Sequence, residues 1–163
     1  MTADMPQTHP RPEAGDPAPD FMLPRDGGGD ISLSAQRPRA VVLYFYPKDD
    51  TPGCTVEAID FTASSAAFAA AGAVVIGMSK DTVKAHDKFA RKHTLGIALA
   101  SDAASDTCER YGVWVEKSMY GKTYMGIERA TFLIDGTGKI VRVWSKVSVP
   151  GHVAEVLAAA QAL

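Results

Sequence analysis

The 163-residue chain has only two cysteines, Cys54 and Cys108, and four histidines, His9, His86, His93 and His152. Two thiols cannot build a disulfide scaffold or a four-cysteine zinc site, and no histidine stands at paired metal-ligand spacing from either. An excess of charge is also missing, since 17 Lys and Arg face 19 Asp and Glu for a net charge of −2. That leaves no basic footprint for a nucleic-acid backbone and no polybasic patch for an anionic membrane. The first residues lack the basic and then apolar pattern of a secretory signal, so a reducing cytoplasm is the expected location. One uncharged run of 19 residues, 61–79, has the length of a bilayer span. Its first part is mostly Ala, Ser and Thr, and Gly72 divides it from Ala73-Val74-Val75-Ile76. It therefore reads as a helix followed by a buried strand.

With 46% hydrophobic residues the chain can fill the core of one domain. Five of the ten prolines fall in the first nineteen residues, so 1–17 is expected to be a disordered tail and 18–163 the folded domain. Phe21-Met22-Leu23 and Asp30-Ile31-Ser32-Leu33 flank a glycine run, the pattern of an N-terminal β-hairpin. Val41 to Tyr46 is unbroken apolar and aromatic sequence, which predicts a central strand covered on both faces and ended by Pro47. Beyond it the patterning predicts a helix from Pro52 to about Ala71 and a strand over Ala73–Met78. A helix over Thr82–His93, with Asp81 as its cap, precedes a strand at Ile97–Leu99 and a short helix near Ala104–Tyr111. Val113 to Ile127 reads as irregular or hairpin structure. Ala130–Ile134 and Lys139–Trp144 form a hairpin across Asp135-Gly136-Thr137-Gly138, which leads into a strand and so is no phosphate loop. Pro150 opens a last helix with Val153, Val156, Leu157 and Ala160 at helical spacing. The order predicts an α/β fold, a mixed sheet with helices on both faces.

The informative stretch is Tyr46-Pro47-Lys48-Asp49-Asp50-Thr51-Pro52-Gly53-Cys54-Thr55, at the exit of the central strand, where sites in such sheets concentrate. As helix-start grammar Thr51 is the N-cap, Pro52 is N1 and Cys54 lies in the first turn. Unpaired N–H groups and the positive end of the helix dipole favour a thiolate there over a neutral thiol. The polar loop around it suits a presented sulfur better than a packed one. Thr51 holds the place of the first cysteine in a C-x-x-C redox pair, which excludes a dithiol cycle within the motif. An activated thiolate beside a hydroxyl suits attack on an electrophile. A peroxide fits, because thiolate attack on its O–O bond gives a sulfenic acid without a metal.

This stretch resembles the active-site motif of the peroxiredoxins, Pro-x-x-x-Thr-x-x-Cys, here Pro47, Thr51 and Cys54. Phe45 to Ala58, together with Gly126-Ile127-Glu128-Arg129-Ala130-Thr131-Phe132-Leu133-Ile134-Asp135, is similar to the bacterioferritin comigratory protein or peroxiredoxin Q subfamily. The likeness extends over about Gly15 to Ala159. It implies a thioredoxin-like fold and a thiol peroxidase acting on hydrogen peroxide and alkyl hydroperoxides without metal or organic cofactor. It further implies thioredoxin or glutaredoxin as reductant and a monomer or weak homodimer, while the charge balance leaves no nucleic-acid or membrane partner expected. By the same resemblance Cys54 is the peroxidatic nucleophile, Thr51 hydrogen-bonds the peroxide, Pro47 shields the sulfur, and Arg129 holds the thiolate and polarises the peroxide. A salt bridge to Glu128 is the alternative for Arg129, and Glu57 reads as an acid placed by the helix dipole.

The resolving cysteine departs from the subfamily's pattern. Many members carry it five residues after the nucleophile, where this chain has Ile59, and others on the next helix, where 82–93 has none. Cys108 is the remaining thiol, so the readings are a single-cysteine cycle reduced by an external thiol or a Cys54–Cys108 disulfide. A thiol transferase on the same fold and a non-enzymatic redox sensor are rival functions. His86 and His93 read as partly exposed helical histidines, and Trp114, Tyr120 and Tyr124 either line a substrate mouth or pack a loop.

Overall fold

The computed structural model describes residues 10–163. Its first elements, β1 (Met22–Pro24) and β2 (Asp30–Ser32), pair antiparallel across Gly27, Gly28 and Gly29, all at positive φ. Then come β3 (Ala40–Phe45), α1 (Pro52–Ala63), α2 (Ser65–Ala70), β4 (Ala73–Ser79), α3 (Val83–His93), β5 (Ala98–Ser101) and α4 (Thr107–Arg110). The chain closes with β6 (Trp114–Met119), β7 (Lys122–Ile127), β8 (Ala130–Ile134), β9 (Ile140–Trp144) and α5 (His152–Gln161). The central sheet runs β5-β4-β3-β8-β9. Its first three strands are parallel, and β8 and β9 are antiparallel to their neighbours. This is a mixed, thioredoxin-like α/β arrangement, and every residue of β3 is buried.

Strand alternation sorts the core into two layers. Val41, Leu43 and Phe45 point to the face covered by the β1–β2 hairpin and by Cys108 and Tyr111 at the short helix α4. Val42 and Tyr44 point to the opposite face, under Cys54, Ala58 and Phe61 of α1, Phe68 of α2, Phe89 of α3 and Val153 and Val156 of α5. Helices thus flank the sheet as predicted, although one face carries four of them and the other mainly a hairpin and a single helical turn. The two cysteines lie on opposite faces.

Several boundaries differ from those the sequence suggests. The expected helix from Pro52 to Ala71 breaks at Ser64, whose ψ of 4° interrupts it between α1 and α2. Thr62, Ser64 and Ser65 are poor helix formers, which accounts for the position of the break. Thr82, not Asp81, caps α3, its Oγ1 accepting from the Ala85 N–H at 3.2 Å. Of the two readings of residues 113–127, irregular or hairpin, the hairpin is the one formed, with β6 and β7 antiparallel. Residues 1–9 of the expected tail lie outside the described residues, but 11–17 are tied to the domain. Gly15 N–H donates to the Ile140 carbonyl at 2.8 Å and Ile140 N–H to that of Asp16 at 2.9 Å. Arg11 reaches Glu128 at 2.6 Å. Pairing beside β9 and this ion pair outweigh the proline-rich composition. The uncharged run 61–79 is divided among α1, α2 and β4, and no helix of the described residues is long and apolar enough to cross a membrane.

Gly77 of β4 faces Tyr44 of β3 in register. A Cβ there would stand 2.8 Å from the Tyr44 ring, itself stacked on Phe61 with centroids 4.5 Å apart. Both rings are buried and cannot swing outward. Gly77→Ala is therefore expected to cost about 1–3 kcal/mol, the range for overpacking a core. Denaturant unfolding measures it, and an unchanged midpoint would contradict the close approach.

Candidate active site

The loop that leaves β3 carries Pro47 and Thr51 and runs into α1, whose first turn holds Cys54. Pro47 ends the strand and its side chain is exposed. Thr51 caps α1 with extended backbone geometry, and Pro52 occupies its first turn. The Thr51 hydroxyl makes no cap bond but donates to the Lys48 carbonyl at 2.9 Å, closing the loop on itself. Its oxygen lone pairs remain able to accept.

Cys54 is 1% exposed and packs in the layer formed by Tyr44, Tyr46, Ala58 and Leu133. The expectation of a sulfur presented at the surface is therefore corrected. Tertiary packing of α1 on the sheet carries its first turn inward, which the polarity of the preceding loop does not reveal. What meets the sulfur is a guanidinium from the distant β7–β8 junction. Arg129 Nη2 donates to Cys54 Sγ at 3.3 Å. Its Nη1 donates to Glu57 Oε1 at 2.6 Å, so one planar fork binds the sulfur and a carboxylate together. Glu128, the sequence-adjacent acid, pairs with Arg11 instead. Gly53 makes room for this geometry, since a Cβ there would stand 3.2 Å from Arg129 Nη2.

The surroundings are buried and rich in charge. Burial opposes the Arg129 charge, but Glu57 and Cys54 outweigh it and leave the guanidinium pKa raised. Glu57 is fully buried. Burial pushes its carboxyl up to about 7, with Arg129 acting in the opposite direction. Its Oε2 and the nearby Tyr44 hydroxyl have no hydrogen-bond partner among the described residues, and burial, then Glu57 and Cys54, hold the Tyr44 pKa well above its ordinary value. Lys117 of β6 feels the same site: burial and Arg129 lower its pKa while Cys54 opposes them.

Glu57 has a stability consequence. A carboxyl whose folded-state pKa is raised holds its proton more tightly folded than unfolded. Its contribution is fully present below the ordinary glutamate range and is lost as pH rises through about 7. Between about pH 5 and about pH 8 the wild-type Tm is expected to fall relative to that of Glu57→Gln, which lacks this titration. Parallel Tm curves for the two proteins would contradict the assignment.

The remaining sequence candidates fall elsewhere. Cys108 is wholly buried on the other sheet face. Burial first, then Asp102, push its thiol far above the ordinary cysteine value. Trp114 packs against the core beneath Lys80, 5.2 Å from the ring centroid. Tyr120 is 96% exposed and Tyr124 about half exposed on the β6–β7 hairpin, so the three do not form a common wall. His86 is not partly exposed but completely buried, with Nδ1 2.7 Å from Asp49 Oδ2 and Nε2 3.0 Å from the Ala100 carbonyl. His93 reaches Asp50 at 3.0 Å. Both histidines grip the loop that carries Pro47 and Thr51, a role no local spacing in the sequence announces.

This arrangement agrees with what the chain is similar to. Residues 14–143 match the AhpC/TSA family. The chain is 54% identical to a putative peroxiredoxin bcp of Coxiella burnetii, over 89% of its own length and 96% of that protein. It is 49% identical to peroxiredoxin Bcp of Bacillus subtilis, over 89% and 92%. Among solved structures, Xanthomonas campestris peroxiredoxin Q superposes with a TM-score of 0.83 at 46% identity, covering 87% of this chain and 90% of that one. A structure of the bacterioferritin comigratory protein of the same organism, described for its alkyl peroxide reduction activity, gives 0.83 at 45% identity over the same shares. With this likeness along nearly the whole domain, the chain belongs to the AhpC/TSA family and, within it, to the peroxiredoxins of the Bcp and peroxiredoxin Q kind.

Proposed function

We propose that the chain is a thiol peroxidase that reduces hydrogen peroxide and alkyl hydroperoxides at Cys54. The observation that carries this reading is the contact of Arg129 Nη2 with Cys54 Sγ at 3.3 Å in the first turn of α1. The guanidinium, the free N–H groups of the helix start and the dipole all favour a thiolate there. The thiolate attacks one peroxide oxygen, the O–O bond breaks, and the departing alkoxide or hydroxide takes a proton to leave as alcohol or water. The sulfur is oxidised to sulfenic acid and the peroxide is reduced.

The other residues act on the peroxide. With its own proton on the Lys48 carbonyl, Thr51 accepts the peroxide O–H and orients the O–O bond along the line of attack. Arg129 has donors left over after binding Glu57 and the sulfur, and these meet the negative charge that develops on the peroxide oxygens. Pro47 limits water near the sulfur from the outer side of the loop. The alkyl peroxide reduction activity named for the Xanthomonas campestris relative supports the alkyl hydroperoxide part of this substrate range.

The catalytic cycle uses Cys54 alone. Cys108 lies across the sheet, buried and held as a thiol, whereas a disulfide needs Cα atoms within about 7 Å and an attacking thiolate. An external thiol attacks the sulfenic acid, releasing water and leaving a mixed disulfide. A second thiol then frees Cys54 and departs as part of the external disulfide. Thioredoxin or glutaredoxin, acting in the cytoplasm, supplies these thiols. Peroxide consumption coupled to either reductant, with the mass of peroxide-treated protein, tests this reading. Turnover with one added oxygen and no internal disulfide is the expected result. An absence of turnover with both reductants and both peroxide classes overturns it.

A further inference from the structure

We propose that the buried His86–Asp49 pair is a positioning device for the peroxide reaction, fixing the loop that carries Pro47 and Thr51 against the Cys54 sulfur; this rests on the reading of Cys54 as the peroxide-reducing nucleophile. His86 belongs to α3 and Asp49 to the loop after β3, 37 residues apart in sequence. The ring is fully buried, so each of its nitrogens needs a partner. Nε2 faces the Ala100 carbonyl, which only accepts, and must carry a proton. Nδ1 faces Asp49 Oδ2 at 2.7 Å and the Tyr46 oxygen at 3.4 Å. Tyr46 has already given its proton to Asp49 Oδ1 at 2.6 Å, so both neighbours of Nδ1 are acceptors and it carries a proton as well. Although burial disfavours the charged ring, Asp49 outweighs that penalty and raises the imidazole pKa.

Asp49 is held at its backbone too. Its N–H donates to Asp81 Oδ2 at 2.8 Å, and the same oxygen accepts from the Ser79 hydroxyl at 2.6 Å. The loop is thereby fastened at one residue to α3, to the β4–α3 connection and to Tyr46 just after β3. Potential metal-ligand atoms of Asp49, Asp81 and His86 lie within 4.8 Å of one another, but protein donors and acceptors already engage all three side chains, which describes a clamp and not an open cation site. The neighbouring contacts of Asp50 with Lys92 and His93 are more exposed, where such pairs contribute little.

The clamp matters for peroxide and not for ionisation of the sulfur. Thr51 takes its position from the Lys48 carbonyl, one residue before Asp49, so a shift of Asp49 moves both the hydroxyl that orients the peroxide and Pro47. Arg129, which holds the thiolate, comes from the β7–β8 junction, and α1, although Thr51 caps it, is anchored on the sheet by Ala58 and Phe61, so the loop can shift while the sulfur keeps its guanidinium. Misplacing an orienting group by about 1 Å can cost on the order of 100-fold in rate.

The test compares two rates for each protein, peroxide oxidation and iodoacetamide alkylation of Cys54. Asp49→Ala is expected to slow oxidation about 10- to 100-fold and to leave alkylation within about twofold. Asp49→Asn should restore most of the oxidation rate, because its amide can donate to a neutral His86 Nδ1 while its oxygen still accepts from Tyr46. A second pair checks the other partner. His86→Asn places a donor where Nδ1 stood and His86→Gln where Nε2 stood, so the Asn variant should be the faster with peroxide. The proposal is overturned if Asp49→Ala oxidises at the wild-type rate, if both rates fall in proportion, or if Asp49→Asn is as slow as Asp49→Ala. A wild-type protein that is alkylated but inert to peroxide overturns the peroxidase reading itself.

Discussion

Cys54→Ser is expected to lower peroxide consumption by on the order of 10,000-fold or more, the scale seen when a nucleophile is removed from a site that otherwise stays intact. A serine hydroxyl beside Arg129 does not ionise near neutral pH and cannot accept an oxygen atom in the way sulfur does. The substitution removes little volume from a position that is 1% exposed, so folding is preserved and the loss is chemical. Cys108→Ala forms the contrast. It deletes one buried atom from the opposite layer of the core, and turnover with thioredoxin or glutaredoxin should stay within about twofold because the proposed cycle passes no step through that sulfur. Coupled assays on the two variants, with the mass of the oxidised protein, check both statements. Retained turnover in Cys54→Ser would remove the nucleophile from the mechanism. Loss of turnover in Cys108→Ala, together with an internal disulfide in the wild type, would make Cys108 the resolving thiol.

What the sequence disclosed, and what it withheld, follows the range of the interactions involved. The start of α1 was legible because Thr51, Pro52 and Cys54 are consecutive helix-start positions whose geometry is set locally. The strands β3, β4 and β8 were legible because their apolar runs need cover on both faces. The contact of Arg129 with Cys54 is expected only through resemblance; the alternative partner, the adjacent Glu128, turns to Arg11, and the carboxylate that binds Arg129, Glu57, is 72 residues away. Asp49 and His86 carry no mark in the sequence for the same reason, since nothing local distinguishes a buried, doubly bonded histidine on α3 from an exposed one. The burial of Cys54 depends on how α1 packs against β3, which helix-start grammar does not specify. The break at Ser64 and the capping of α3 by Thr82 are local features, and the Thr and Ser cluster at residues 62–65 is the signal available for the first.

Arg129→Met is expected to reduce the rate of Cys54 oxidation by about 100- to 1,000-fold, the loss typical of removing one donor that stabilises charge at a reacting centre. Two contacts disappear together, the one to the sulfur at 3.3 Å and the one to Glu57 at 2.6 Å. The first loss weakens the thiolate and leaves the peroxide oxygens without a donor. The second strands the Glu57 carboxyl, already raised to about 7, in a site with no exposure, so the single variant also loses stability through a buried and unpaired group. Adding Glu57→Gln separates the two effects, because the neutral amide removes the stranded charge but cannot replace the guanidinium. The double variant should regain much of the Tm and none of the rate. Arg129→Lys should fall between wild type and Arg129→Met: its ammonium keeps the charge, but a point charge on a flexible stem cannot span the sulfur, the Glu57 carboxylate and a peroxide at once. Stopped-flow oxidation rates beside thermal melts resolve the series. Recovery of the rate in the double variant would mean that Arg129 serves only to neutralise Glu57, and the polarisation of peroxide would then have to come from the helix start alone.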